Sequence, residues 1–116
     1  MNTELKTILK LLLPEFLIDN FQITKIQDKD QRIDIYLEEN MELPATLNAA
    51  DFISHGFHKQ VQIKDFPIRA KQVTLYIKRR RWLNKLTKEV VSKDWHLIAK
   101  GTRMTEEFTA FLKGIN

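Results

Sequence analysis

The segment YIKRRRW, residues 76–82, sets four consecutive cations, Lys78, Arg79, Arg80 and Arg81, between Tyr76 and Trp82. Guanidinium and ammonium groups bind phosphate, and flat rings stack on bases or sugars, so this spacing points to binding of a polyanion. On an extended chain neighbours alternate sides, which puts Lys78 and Arg80 on one face with Tyr76 and Trp82 and leaves Arg79 and Arg81 on the other. Lys85, Lys88 and Lys93 add charge beyond a polar turn, and Lys100 and Arg103 add more before the chain end. The competing account is that cations on exposed strands guard sheet edges and keep a protein soluble. Salt separates the two: about six phosphate contacts give a log–log slope of roughly −5, and a merely solvated face gives none. Trp82 and Trp95 are more often packing residues than stacking platforms, because Trp is largely buried on average.

The net charge of +4 conceals an uneven distribution. Residues 1–57 carry five Lys and Arg against ten Asp and Glu, a balance of −5; residues 58–103 carry thirteen against three, +10; residues 104–116 carry one against two, −1. A basic block of that density draws polyanions, and nucleic acid is the commonest of these. Catalytic chemistry is not indicated. His55, His58 and His96 show no HxxxH or HExxH spacing, and Asp28, Asp30 and Asp34 lack the Gly and terminal Glu of a calcium loop, so a solvated hairpin turn is the expectation there. No Gly-rich phosphate loop, GxSxG elbow or nucleophile–base set is present. The expectation is therefore a protein that is not an enzyme, with no cofactor, no metal and no catalytic residue. With no Cys there is no disulfide and no thiolate site, and the cytoplasm is the default location. The apolar run 8–18 contains Lys10, Pro14 and Glu15 and is too short for a bilayer, so it reads as core-facing helix with no membrane role.

The elements that must position the cations follow from periodicity. At 116 residues the chain is sized for a single domain, 1–116, with an acidic half (1–57) and a basic, ribbon-like half (58–116). Thr3 can cap a first helix with Leu5, Ile8, Leu9, Leu12 and Phe16 on one face; Pro14 breaks it, and a second short helix follows over 15–20. Alternation over 21–26 and 32–38 predicts a hairpin, with Ile33, Ile35 and Leu37 on one side and Asp34, Tyr36 and Glu38 on the other. Residues 40–56 read as a connection with a helical turn near 49–54. Strands are expected at 58–65, closing at Phe66 and Pro67, at 71–82 as one long strand, and at 90–99 after a turn at 84–88. Together these three make a basic antiparallel unit. Thr105 caps a last helix with Glu106 and Glu107 at its positive end, an apolar face of Met104, Phe108, Phe111, Leu112 and Ile115, and a stop at Gly114. The fold class is α+β: a small antiparallel sheet with a basic β-hairpin, flanked by an N-terminal and a C-terminal helix.

The stretch VQIKDFPIRAKQVTLYIKRRRW followed by VVSKDWHLIAKGTRMTEEFTAFLKG resembles the N-terminal region proteins of bacterial insertion-sequence transposases. More distantly it resembles the zinc ribbon that opens a larger transposase group, in which an Asp-apolar-Pro step leads into a strand with a basic end. Here Asp65, Phe66 and Pro67 occupy the step and Lys78 to Arg81 the basic end. The likeness is good over the C-terminal half and looser before it, including LLPEF. Where the ribbon has cysteines, near Trp82 and in the turn before Val90, this chain has none, so zinc does not carry over and packing by Trp82 and Trp95 must replace it. The resemblance implies a non-catalytic DNA-binding module for DNA transposition, contacting the ends of a mobile element, with a separately encoded transposase catalytic domain as partner. Two other classes stay open: a protein-interaction module, docking through its acidic half or its terminal helix, and an RNA-binding domain, since cations and rings on a sheet also suit single strands.

Overall fold

The computed structural model describes residues 2–95 and 105–113. Asn2, rather than Thr3, caps helix α1 (Thr3–Leu12): its side-chain oxygen accepts from the Leu5 backbone N–H at 2.8 Å. Pro14, with no N–H to continue the ladder, separates α1 from α2 (Glu15–Asn20), as the sequence predicts. The core-facing reading of α1 is corrected. Leu5, Ile8 and Leu12 are 51%, 52% and 45% exposed, and of the stripe within α1 only Leu9 packs against the core. Once the chain is broken at Pro14, it is α2 that meets the sheet, burying Phe16, Leu17 and Ile18, while α1 leans chiefly on α2.

Strands β1 (Phe21–Asp28) and β2 (Arg32–Glu39) form the expected hairpin, with a bulge between Ile23 and Lys25. A 3-10 turn, Ala49–Asp51, is capped by Asn48 and leads into β3 (Phe52–Phe57), a strand where the sequence suggests only a connection. β4 (Val61–Ile68) runs through Pro67 instead of closing there. It is an edge strand, so the missing proline donor breaks no ladder bond that is needed. The expected long strand over 71–82 is two strands, β5 (Lys71–Lys78) and β6 (Arg80–Asn84), which belong to different sheets and part at Arg79. β7 (Val90–Val91) is shorter than expected: 92–94 are irregular, Trp95 is helical, and the remainder of 90–99 lies outside the described residues. Helix α3 (Glu106–Lys113) is capped by Thr105, whose hydroxyl accepts from the Phe108 N–H at 3.2 Å. Met104, Gly114 and Ile115 fall outside the described residues.

One sheet has the order β1-β2-β5-β4 and the other β3-β6-β7. The chain is thus α+β with helices before and after its sheets. The predicted three-stranded basic unit is not one sheet, and β2 and β5 run parallel, Ile33 beside Val73 and Leu37 beside Ile77. β5 is central, and Val73, Thr74 and Leu75 are all buried, which is why its sequence is nearly continuous in apolar and β-branched residues. The core lies on the face of this sheet that bears Ile35, Leu37, Ile63, Leu75 and Ile77, covered by α2, Trp95 and the Phe108 and Leu112 side of α3. Phe108 meets Phe16 edge-on with ring centroids 5.6 Å apart, and Trp95 stands 4.9 Å from Phe21. The α3 face considered for docking is therefore core.

Candidate nucleic-acid interface

The β6–β7 hairpin turns on the side chain of Asn84. Its Oδ1 accepts from the Leu86 and Thr87 N–H groups at 2.8 and 3.1 Å, its carbonyl accepts from Lys88 N–H at 2.8 Å, and Lys88 takes a left-handed φ of 65°. Lys85 N–H donates to the Asp51 carbonyl at 2.8 Å and ties the tip to the turn before β3. These bonds hold Lys85, Leu86 and Lys88 in water at the end of an ordered arm, with Leu86 77% exposed.

The four consecutive cations do not act alike. Lys78 and Arg80 share a side, as alternation predicts: both lie over the Phe57 ring, at 5.9 and 4.6 Å. Arg80 is committed to the fold. Its backbone N–H donates to the Glu39 carboxylate at 2.9 Å, its Nε and an Nη donate to the Glu39 carbonyl at 3.4 and 3.3 Å, and its other Nη donates to the Ser54 hydroxyl at 3.0 Å. Lys78 stands 3.9 Å from Glu38. Arg79 lies 5.1 Å from the Phe111 ring of α3, and burial draws its guanidinium down from the usual range. The Arg81 guanidinium comes within 3.7 Å of where a Cβ on Gly56 would stand. Gly56 has a φ of 69° in the bulge between Ser54 and Phe57, where a side chain would be strained.

Neither expected aromatic contact joins this arm. Trp82 is 6% exposed, which corrects its assignment as an open stacking ring and agrees with the packing role expected of it. Tyr76 stacks on Tyr36 on the outer face of the larger sheet, centroids 4.3 Å apart and 8° from parallel. The crossing at Arg79 separates Tyr76 from β6, so the continuous Tyr76-Lys78-Arg80-Trp82 face does not form. A polar depression of about 300 Å³ beside Tyr76 is lined by Arg32, Gln62, Lys64 and Glu107 among others. Lys100, Arg103 and His96 fall outside the described residues.

The ion pairs among the described residues leave out the smaller sheet altogether, although Lys25 and Lys64 of the larger sheet and Arg69 in its β4–β5 turn lack one too. Every ion pair among the described residues takes its cation from α1, the larger sheet or the β1–β2 turn: Lys10 with Glu15 and Asp19, Lys29 and Arg32 with Asp34, Lys71 with Asp28, Lys78 with Glu38. Asp34, expected to be solvated, is instead buried between its two cations. Arg79, Arg81, Lys85, Lys88 and Lys93 have no such partner among the described residues. Glu39 feels the field of two of them: burial pushes its carboxyl up to about 6 against the opposing pull of Arg80, Lys93 and Arg79. Lys93 lies over the Trp95 ring at 5.8 Å.

Sequence reasoning missed Glu39, Phe57, His58 and Ser92 as neighbours of the cations. His58 Nε2 and Ser92 Oγ are 2.6 Å apart. The one local signal was the glycine at position 56, a residue that accommodates a turn or bulge. Among the described residues no three His, Cys, Asp or Glu side chains gather as a metal set, and no helix is long and apolar enough to cross a membrane. Compared with models of protein families, with curated proteins and with solved structures, the chain matches none of them.

Proposed function

We propose that this chain is a non-catalytic DNA-binding module, the front part of a transposase, that grips the phosphate backbone with its β6–β7 hairpin. The observation that supports the reading is the set of cations on and beside the smaller sheet that have no ion pair among the described residues, next to a larger sheet whose ion pairs are internal. Unpaired cations repel one another and weaken the folded state unless a polyanion neutralises them. Lys85 and Lys88 at the ordered tip, with Arg79, Arg81 and Lys93 behind them, take the phosphates; Arg80 supports the arm through Glu39 rather than reaching out. A two-stranded ribbon fits a major groove, where an Arg can read guanine. The transposase assignment, the element ends as target, the separately encoded catalytic subunit and the cytoplasmic location rest on the sequence resemblance and composition.

The test is titration of labelled terminal-repeat duplex at several salt concentrations, with single-stranded RNA as competitor. Wild type should lose affinity with a log–log slope of roughly −4 to −5 if about five cations are engaged. Salt-insensitive binding, or equal binding by a variant with Arg79, Arg81, Lys85 and Lys88 all changed to Ala, removes the reading, and preferential competition by the RNA moves it to single strands.

A second reading has its own observation. The apolar stripe of α1 is exposed, so protein docking on the acidic half retains a surface, whereas the α3 face does not. Co-purification with a catalytic subunit in the absence of DNA, lost on Leu5→Ser and Ile8→Ser, would favour it.

A further inference from the structure

We infer that Arg79, Arg81, His58 and Ser92 form a discrete seat for one phosphate group, a more specific contact than the exposed lysines of the hairpin tip provide. The inference deepens the nucleic-acid reading and rests on it for the identity of the phosphate as a backbone phosphodiester.

The register of the smaller sheet assembles the seat. Phe57 pairs with Arg80, and the next residue, His58, donates its backbone N–H to the Arg79 carbonyl at 2.8 Å. On the other flank Trp82 pairs with Val91, which sets Ser92 opposite Arg81. The 2.6 Å contact between His58 and Ser92 therefore spans β6 from strands on either side of it. The charges of Arg79 and Arg81 both act on the His58 ring, and the Arg81 guanidinium lies beside the bulge, 3.7 Å from where a Cβ on Gly56 would stand.

The chemistry of the cluster lacks a partner. The Nε atoms of Arg79 and Arg81 are buried and make no hydrogen bond among the described residues. Buried donors are normally satisfied, and an unpaired one points to a group that arrives from outside. All four residues are half-buried, open enough for a small anion and enclosed enough to weaken competition from water. Glu39 acts on Arg79 from the β2 side, but its carboxylate already accepts from the Arg80 N–H, and no described carboxylate pairs with Arg81. A guanidinium fork matches phosphate oxygens. Burial first, then Arg79 and Arg81, hold the His58 ring below its ordinary value, so it is neutral at pH 7. With its proton on Nε2, the ring donates to Ser92 Oγ and frees the hydroxyl hydrogen for the anion.

The experiment is an NMR titration of the whole chain with inorganic phosphate, against chloride at matched ionic strength. Saturable shifts should centre on His58, Arg79, Arg81 and Ser92, and the His58 titration should move to higher pH at saturation because the anion opposes the guanidinium field. Arg81→Met should weaken phosphate about tenfold or more, with Ser92→Ala weaker in the same direction. Dispersed amide spectra check that both variants fold. Shifts that do not saturate, or equal phosphate affinity in wild type and both variants, overturn the seat. Duplex DNA forms the second arm. No seat for phosphate with DNA still held through Lys85 and Lys88 overturns this inference alone; saturable phosphate binding with no affinity for DNA supports the seat, for a free phosphate, and overturns the nucleic-acid reading.

Discussion

The two sheets of this chain divide its labour. The larger one has a buried central strand, helices over one face, and ion pairs that join its own strands, such as Lys71 with Asp28 at 2.6 Å. The smaller one has a two-residue third strand, one buried Trp outside the main core, and cations with no ion pair among the described residues. Burying a Leu, Ile or Phe side chain stabilises by about 1.5–3 kcal/mol, so the larger sheet and its helices can carry the fold while the smaller sheet bears an electrostatic cost. Sites that break local rules of stability are where function is expected, and a group of cations without ion pairs among the described residues is one such break.

The comparison is easiest to break in the core. Phe108→Ala leaves a cavity against Phe16 and should cost about 3–5 kcal/mol, whereas Val90→Ala on the smaller sheet should stay within about 0.5 kcal/mol; urea denaturation of both checks it, and similar costs would mean the two sheets share the load. A second effect lies in the β4–β5 turn, where Arg69 and Ala70 adopt left-handed φ values of 54° and 65° without a glycine or asparagine. Arg69→Asn with Ala70→Gly should raise stability by about 1–2 kcal/mol and leave DNA affinity within twofold, since this turn belongs to the larger sheet.

The joint between the sheets gives a pH signature. Glu39 has a raised pKa, about 6 against an ordinary 4.5, so the folded state prefers its protonated form and stability from this group falls as pH rises from 4.5 through 6. His58, lowered from 6.5, works the other way: its share is lost as pH falls below 6.5, because the unfolded ring charges more readily. Glu39→Gln removes the first contribution alone. Its stability relative to wild type should therefore be greater at pH 7 than at pH 4.5, measured as urea midpoints; a difference independent of pH would show that Glu39 is not held in a desolvated joint. The smallest stability effect belongs to Lys85→Ala with Lys88→Ala, expected within about 0.5 kcal/mol, together with a DNA salt slope shallower by about 2. Loss of stability without change in slope would reverse the roles given to the two sheets.

Much of this was legible in the residues. Periodicity located the helices at both ends, Pro14 as a break, the β1–β2 hairpin and the Thr105 cap, because each is decided by neighbours within a turn or two of chain. The basic segment and its alternation were also visible, and Lys78 and Arg80 do share a side. The stripe of α1 misled, since an amphipathic pattern states that a face is apolar and not that anything covers it.

Local pattern had no means of splitting 71–82 at Arg79, since both pieces are extended and only their partners differ. It was equally silent on the parallel pairing of β2 with β5, the use of Arg80 as a support for Glu39, and the meeting of His58 with Ser92 across β6. The sequence by itself determined the helices at both ends, the extended character of most strands though not of β3, and how much positive charge the second half holds. The tertiary structure alone decided which cations, among the described residues, pair with carboxylates and which do not, because strand register and burial depend on residues tens of positions apart that no short window contains.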